Sequence, residues 1–306
     1  MRPLSAHYDS PSEVLVLGAS GFLGRHVVAG FSAGCRAHAR TAGFASSPAL
    51  AADLSDEAQL FELLAAERPR ALINCAAISA PAACEGDPSA AAAMNTSLPR
   101  LLGEWSVETG ARVIHVSTDL VFGGAPAPAG GFREEDEPSP LSVYGASKAA
   151  GERGLLDVAP DALVVRLPLL YGSGLGTSRG ASEDLFATLD RGEVARLFED
   201  EWRTPLPASV AAAALIELCA SPARGLLHVA GAERVSRLEL GHALHAERFQ
   251  DPGRAARELM GCARADLDLS PPRPEDTSLC CERARALLET ALPGLEEGVT
   301  IALASA

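Results

Sequence analysis

The sequence predicts an α/β fold, in which a Rossmann-type, doubly wound parallel sheet is joined to a smaller C-terminal lobe. Two observations support this prediction. Short, apolar, β-branched runs alternate with longer segments of helical periodicity over the first 170 residues or so. In addition, the glycine-rich turn LGASGFLG directly follows the first such run and opens the first helical segment.

The elements follow one another as strand, helix, strand. EVLVLG reads as a buried strand that stops at a glycine, and FLGRHVVAGF has helical spacing. Next come the strand ALAAD, the helix SDEAQLFELLAAE with Ser55 as its N-cap, and the strand RALINCAA. This part is completed by the helix PSAAAAMNTSLPRLLGEWSVETG, bent near Pro99, the strand RVIHVST, a helix that carries Lys148, and the strand ALVVRLPLLYG.

The regular alternation of strands and helices ends after Gly172. A glycine-rich loop is followed by an apolar helix within RTPLPASVAAAALIEL, a late strand GLLHVAG and the helix SRLELGHALHAERF. The proline-rich stretch LDLSPPRPEDTSL then precedes two short helices. We therefore place a Rossmann domain at residues 12–170 and a substrate-binding lobe at residues 171–306, with some later segments folding back onto the first sheet.

Composition excludes several classes of partner. A net charge of −14 over 306 residues, with a pI near 5.0, disfavours nucleic acid and anionic membrane surfaces, because both require a basic footprint. The sequence has no long apolar segment and starts without a signal-like apolar run, so we expect a cytoplasmic protein. Its seven cysteines lack C-x-x-C spacing, and the pair His242 and His245 lacks a third ligand, so we predict free thiols and no metal.

The glycine-rich turn is a candidate phosphate-binding site. Gly18, Gly21 and Gly24 lie between the first strand and the first helix, where glycines allow the backbone to approach a ligand closely. The exposed N–H groups and the dipole of a helix N-terminus then favour an anion such as a pyrophosphate. The sequence therefore predicts a dinucleotide cofactor.

The charges after this turn favour NADP(H) over NAD(H). A ribose 2′-hydroxyl is usually held by an acidic residue about 20 positions on, whereas arginine suits a 2′-phosphate. From Arg25 to Ala52 there is no Asp or Glu, and Arg36 and Arg40 stand where the second strand should end. The alternative that these arginines are only solvated surface charges stays open. Asp53 ends the strand ALAAD and is expected to reach the adenine instead.

Tyr144 and Lys148 form the candidate proton-donating pair. Their i, i+4 spacing puts both on one face of a helix, and a nearby cation lowers the pKa of a tyrosine so that it can act as an acid. Lys148 is the only lysine in the sequence. A compact ammonium can touch a ribose and a phenol together, which a planar guanidinium cannot. Thr118, at the end of the preceding strand, could orient a substrate carbonyl.

Together these segments resemble the extended short-chain dehydrogenase/reductase superfamily and, within it, the dTDP-4-dehydrorhamnose reductase (RmlD-like) group. The resemblance runs from VLVLGASGFLG through INCAAISAPAACE, HVSTDLVF, SPLSVYGASKAAGE and RLPLLYG to RPEDTSL. It implies a nicotinamide cofactor and an NADPH-dependent reductase of a 4-keto nucleotide sugar. It also implies that Asn95 supports the proton relay and that Arg273 lies near the substrate's phosphates.

Two departures from the group concern the substrate. Leu120 stands where the reductases commonly have a tyrosine, and Ser209 stands where an aspartate is common. The related sugar dehydratases have Thr-Asp-Glu where this chain has the sequence TDL. Leu120 therefore stands in place of the glutamate whose carboxylate dehydration needs. A nucleotide-sugar epimerase and a non-catalytic, NADP-binding regulatory subunit stay open as alternatives. The sequence is also compatible with a homodimer.

The predicted site has three parts. The catalytic residues are Asn95, Thr118, Tyr144 and Lys148, and the substrate-binding residues are Thr118, Asp119, Arg203 and Arg273. The cofactor-binding residues are Gly18, Ser20, Gly21, Phe22, Leu23, Gly24, Arg40, Asp53, Leu54, Ala76, Ala77, Tyr144, Lys148 and Leu167.

Overall fold

The computed structural model describes residues 13–31, 35–40, 50–177 and 180–304. The opening stretch and the predicted domain start at residue 12 lie outside this range. The described strands are β1 (Val14–Leu17), β2 (Arg36–Ala37), β3 (Ala71–Asn74), β4 (Arg112–Thr118), β5 (Leu163–Leu167), β6 (Leu170–Tyr171), β7 (Ala195–Phe198), β8 (Trp202–Arg203), β9 (Leu206–Pro207), β10 (Gly225–His228), β11 (Val235–Ser236) and β12 (Leu259–Cys262).

The described α-helices are α1 (Phe22–Gly30), α2 (Glu57–Glu67), α3 (Pro81–Gly86), α4 (Pro88–Ala92), α5 (Leu98–Thr109), α6 (Val143–Val158), α7 (Ala181–Asp190), α8 (Ala208–Cys219), α9 (Arg237–Phe249), α10 (Pro252–Glu258), α11 (Glu282–Leu287) and α12 (Leu295–Ala304). A π-helical turn (Ala93–Ser97) joins α4 to α5, and 3₁₀ turns span Asp119–Val121 and Arg264–Asp266. None of the helices in the described ranges combines the length and hydropathy needed to cross a bilayer.

Six of the described strands form one parallel sheet in the order β10-β5-β4-β3-β1-β2. The chain leaves β1 toward β2 on one side and then returns to β3 on the other. Sheets of this kind bind ligands outside the carboxyl ends of the strands at that reversal. The predicted Rossmann-type fold is confirmed.

Alternating side chains divide the core between the two faces of the sheet. Val14 and Val16 of β1 pack on the face covered by α1 and α8, whereas Leu15 and Leu17 pack on the face covered by α2, α5 and α6. Successive side chains of a strand point to opposite faces, so a sheet with helices on both sides needs apolar residues at every position. That requirement explains the uninterrupted run VLVL.

The later part of the chain contributes both to the main sheet and to a second core. β10 pairs with β5 at the edge of the six-stranded sheet. A separate apolar cluster is built from residues of α7, α9 and α12, including Leu185, Leu244 and Val299. The limits of the two predicted domains stay a prediction.

Local differences from the sequence prediction have clear causes. The predicted strand ALAAD forms only an isolated bridge, from Leu50 to His38. Ser55 does not cap α2, because its hydroxyl donates to the Asp53 carboxylate at 2.7 Å. Asp56 caps the helix instead, accepting the backbone N–H groups of Ala58 and Gln59. The predicted long helix around Pro99 is divided by the π-helical turn that precedes this proline.

Candidate active site

The turn after β1 is shaped for a close backbone approach. Gly18 has a φ of +74°, and a Cβ there would lie 2.7 Å from the backbone nitrogen of Ala76. Gly21 is the N-cap of α1, offers no side-chain cap, and is followed by a first helical turn without acidic residues. The N-terminus of α1 therefore suits the anionic pyrophosphate of a dinucleotide.

The other predicted cofactor residues lie around the same sheet edge. Leu54 and Ala76 are buried in one apolar cluster, and Leu167 ends β5 in register with Thr118. The remaining members are on or beside the glycine-rich turn and immediately after β3, namely Ser20, Phe22, Leu23, Gly24 and Ala77. The structure thus brings these residues to the ligand-binding edge, and their contact with a cofactor stays a prediction.

The two arginines near the end of β2 differ in their surroundings. Arg36 forms an ion pair with Glu67 at the end of α2. Arg40 is exposed, and its charge helps to hold the pKa of Asp53 below the usual value, although hydrogen bonds from Ser55 contribute more to that lowering. Arg36 is thus engaged by another side chain, and contact of Arg40 with a 2′-phosphate stays a prediction.

Helix α6 presents its polar residues to the interior. Tyr144, Ser147, Lys148 and Glu152 are all buried on one face, following the i, i+3, i+4 pattern of a helix. Ser142 caps the helix by accepting the N–H of Gly145 at 3.1 Å. A Cβ at Gly151 would collide with the carbonyl oxygen of Asn95, so glycine lets α6 approach the π-helical turn closely.

The Thr118 hydroxyl lies close enough to the Tyr144 phenol to influence its pKa. The Thr118 hydroxyl also accepts the backbone N–H of Leu120 at 3.1 Å, which fixes its position at the end of β4. Burial raises the pKa of Tyr144, the Thr118 hydroxyl opposes that effect, and the nearby Asp119 charge adds to it. Tyr144 is therefore a protonated phenol throughout the neutral range. The sequence predicted that Lys148 lowers the pKa of Tyr144, but the Lys148 ammonium faces His115 and the Val116 carbonyl oxygen and burial dominates.

Lys148 lies wholly in the interior. Its Nζ atom donates to the carbonyl oxygen of Val116 at 2.6 Å and is 3.1 Å from Nε2 of His115. Burial lowers its pKa from 10.5 to about 8, although the charge of Glu152 partly opposes this. Arg166 binds both oxygens of the Glu152 carboxylate.

Asn95 holds α6 in place. Its amide nitrogen donates to Ser147 Oγ and to the Ile78 carbonyl oxygen, each at 3.0 Å, and its amide oxygen accepts the Ile78 N–H. Ser147 lies on α6 between Tyr144 and Lys148, directly before the lysine. Asn95 thus contacts α6 rather than Tyr144 or Lys148, and its support of catalysis stays a prediction.

Asp119 and Arg203, both predicted substrate contacts, are engaged with each other. Arg203 Nε is 3.3 Å from Asp119 Oδ2 and Arg203 Nη2 is 3.1 Å from Glu201 Oε1. Thr277 donates to the same Asp119 oxygen at 2.8 Å, and Thr118 donates to the other oxygen at 3.0 Å. Both side chains are buried, so this network ties the lobe to the end of β4.

A cavity of about 200 Å³ lies between the segments around Leu120, Leu141 and Pro272. Leu120, which packs near Tyr144, forms part of its wall together with Phe122 and Leu141. Arg273 is exposed and lies at the same cavity, while its carbonyl oxygen accepts a hydrogen bond from Arg264 at 2.9 Å. An apolar wall with a cation at the rim is typical of a site for a small ligand that carries negative charge.

Sequence reasoning missed Asn74 and His115. These residues pair in register across β3 and β4, and both side chains are completely buried beneath Lys148. A polar residue within an otherwise apolar buried strand is the signal that could have revealed them.

The comparisons with known proteins agree with this geometry. The profile of the family described as "RmlD substrate binding domain" matches residues 12–306. The chain belongs to the RmlD substrate binding domain family. It is 33% identical over 291 residues to the "probable low-salt glycan biosynthesis reductase" of Haloferax volcanii, an alignment that spans 92% of this chain and 94% of that protein.

Two further relatives of this RmlD-family chain differ in kind. Methionine adenosyltransferase 2 subunit beta of Bos taurus is 28% identical over 283 residues, spanning 90% of this chain and 82% of that protein. The crystal structure of dTDP-4-dehydrorhamnose reductase from Bacillus anthracis in complex with NADP superposes with a TM-score of 0.80. At 21% identity, covering 94% of this chain and 97% of that chain, it supports the fold.

Proposed function

We propose that this protein is an NADPH-dependent oxidoreductase that reduces the keto group of a 4-keto, 6-deoxy nucleotide sugar. The observation that carries the proposal is the Thr118 hydroxyl close to the Tyr144 phenol, at the same sheet edge as the glycine-rich turn. Leu120, which packs with Tyr144, connects this pair to the apolar cavity. Relatives named as a glycan biosynthesis reductase and as a dTDP-4-dehydrorhamnose reductase support the reaction class.

The chain's own residues divide the work. Thr118 binds the substrate carbonyl oxygen and keeps it beside Tyr144, whose phenol donates the proton that this oxygen acquires. The bound nicotinamide supplies the hydride to the carbonyl carbon. The positive charge of Lys148 stabilises the phenolate that remains on Tyr144. The apolar wall formed by Leu120 and Phe122 excludes water from the reacting carbon.

Two alternatives remain open under this proposal. A regulatory subunit is favoured by the relative named methionine adenosyltransferase 2 subunit beta, and such a protein would bind NADPH without turning it over. An epimerase would leave the amount of NADPH unchanged. Dehydration has little support, because Asp119 is held by Arg203 and Thr277 and the next residue is Leu120.

The deciding experiment is an assay of NADPH consumption with 4-keto-6-deoxy sugars linked to dTDP or UDP, with product analysis by mass spectrometry. We expect oxidation of one NADPH for each sugar reduced. If the protein binds NADPH but consumes none with any of these sugars, the result would favour a regulatory subunit over a reductase.

Cofactor choice is tested at Arg40. We expect Arg40→Ala to weaken NADP binding about tenfold or more and to leave NAD binding nearly unchanged, because only NADP has a 2′-phosphate for the guanidinium to meet. The measurement is calorimetric titration with both cofactors. Arg36→Ala is the matched control, since Arg36 is paired with Glu67 and its loss should not alter the preference. Equal affinities for the two cofactors in the wild type would contradict this assignment.

Substrate class is tested at Arg273. We expect Arg273→Ala to raise KM for the nucleotide sugar about tenfold or more with little change in kcat or in NADPH affinity, because it removes a ground-state contact with a phosphate. Arg153→Ala, at an exposed arginine of α6, is the control for the loss of one surface charge. An unchanged KM, or activity restricted to simple ketones, would refute the nucleotide-sugar assignment.

A further inference from the structure

Asn74, His115 and Lys148 form a continuous chain of hydrogen-bonding groups beneath the candidate active site. Asn74 Nδ2 lies 3.0 Å from His115 Nδ1, and His115 Nε2 lies 3.1 Å from Lys148 Nζ. None of the three side chains is more than 1% exposed. Because water does not reach them, each of these groups must find its partner within this network.

The orientation of Asn74 is set by the backbone. The N–H of Ala76 donates to Asn74 Oδ1 at 3.1 Å, so the amide oxygen is on that side and the NH₂ group faces the histidine. The amide nitrogen can only donate, and His115 Nδ1 must therefore accept. This assignment follows from the partners on both sides of the amide.

The orientation of Asn74 in turn fixes the proton on the imidazole. Burial and the Lys148 charge hold the pKa of His115 well below its usual value, so the ring is neutral. A neutral ring that accepts at Nδ1 carries its hydrogen on Nε2, and that N–H points at Lys148. An ammonium has no lone pair to receive it, whereas a neutral amine has one. The neutral amine also keeps N–H groups that can donate to the Val116 carbonyl oxygen.

We propose that Asn74 and His115 act as a positioning relay that directs an N–H group at Lys148 and thereby favours the neutral amine. The effect adds to the burial that brings the pKa of Lys148 to about 8. Lys148 then changes its charge close to neutral pH, where an ordinary lysine would stay charged.

The other groups around Lys148 do not account for this effect. On α6, Glu152 lies one turn further on and favours the charged lysine, but it is bound by Arg166 and Ser117. Tyr144, one turn earlier, is a buried neutral phenol. Cys75, which follows β3, has its pKa raised by burial to about 12, so its thiol is uncharged at neutral pH. Only His115 presents a side-chain nitrogen to Nζ among the described contacts.

The relay has a consequence for cofactor binding that rests on the proposed function. Ribose oxygens and a negatively charged dinucleotide favour the ammonium form, so binding would draw a proton onto Lys148. NADPH affinity should then decrease as the pH rises above about 8, because the proton must be supplied from an increasingly alkaline solution.

The single lysine makes the relay directly measurable. Protein labelled with [ε-¹³C]lysine contains one labelled side chain, Lys148, whose chemical shift follows the charge of its own amine. We expect the wild type to titrate near pH 8, far below an ordinary lysine. This measurement needs neither substrate nor turnover, so its outcome is separate from that of the proposed function.

Asn74→Asp reverses the polarity of the relay with almost no change of shape. A carboxylate accepts both the Ala76 N–H and an Nδ1–H of His115, which leaves Nε2 as an acceptor for an ammonium. We expect the titration of Lys148 to move upward by at least one pH unit, a tenfold change in its proton affinity. The pH at which NADPH affinity begins to decrease should move in the same direction.

His115→Gln is the second variant, in case the buried carboxylate prevents folding. Its amide can turn the carbonyl oxygen toward Nζ, so the Lys148 titration should again move upward. His245→Gln, at a fully buried histidine in the second core, is the control and should leave Lys148 unchanged. A wild-type titration near pH 10, or no upward change in either relay variant, would overturn the proposal.

Discussion

Replacement of Tyr144 by phenylalanine should abolish almost all turnover while the protein stays folded. The substitution removes only the phenolic hydroxyl, which lies close to Thr118, and leaves the ring that packs against Leu120 and Cys84. A positioned general acid contributes roughly a hundredfold to ten-thousandfold to a rate, so we expect kcat to decrease about a thousandfold. The measurement is NADPH consumption under saturating substrate.

Tyr171→Phe is the matched control for this experiment. Tyr171 is also buried, but it belongs to the second apolar core, with Leu185 and Val299, and should tolerate the loss of its hydroxyl without loss of turnover. NADPH affinity should be nearly the same in both variants and in the wild type. A Tyr144→Phe protein that keeps wild-type turnover would remove the proton donor from the mechanism.

Lys148→Arg should decrease kcat by about a hundredfold and weaken NADPH binding, although it preserves the charge. The interior around Nζ is shaped for a compact group that touches His115 and the Val116 carbonyl oxygen. A planar guanidinium is larger and must displace one of its neighbours, and a misplacement of about 1 Å can cost roughly a hundredfold in rate. Steady-state kinetics and calorimetry measure the two effects.

The pH profile separates loss of position from loss of charge. In the free wild-type enzyme the charge of Lys148, which we assign to stabilising the Tyr144 phenolate, is lost as the pH rises through about 8, so kcat/KM should decrease on that side. Arginine keeps its charge far beyond this range, and the residual activity of Lys148→Arg should extend to higher pH. Near wild-type turnover in the variant would show that a positive charge alone is sufficient at this position.

The sequence by itself determined the fold class and most of the candidate site. Apolar runs at β1, β3 and β5 can be read directly, because a sheet covered on both faces makes nearly every strand residue apolar. The glycine-rich turn and the Tyr144–Lys148 spacing are equally local, since each depends on residues only a few positions apart. The family of the chain follows from these same segments.

Only the tertiary structure decided which polar residues are already engaged by other parts of the chain. Arg36 and Arg40 are equivalent in the sequence, yet one is paired with Glu67, which lies 31 residues away. Asp119 is held by Thr277 at a separation of 158 residues. His115 meets Asn74 and Lys148 because parallel pairing and the packing of α6 bring three distant segments together. Such contacts depend on strand register and burial across the whole fold. The local sequence pattern that specifies each strand and helix therefore does not predict them.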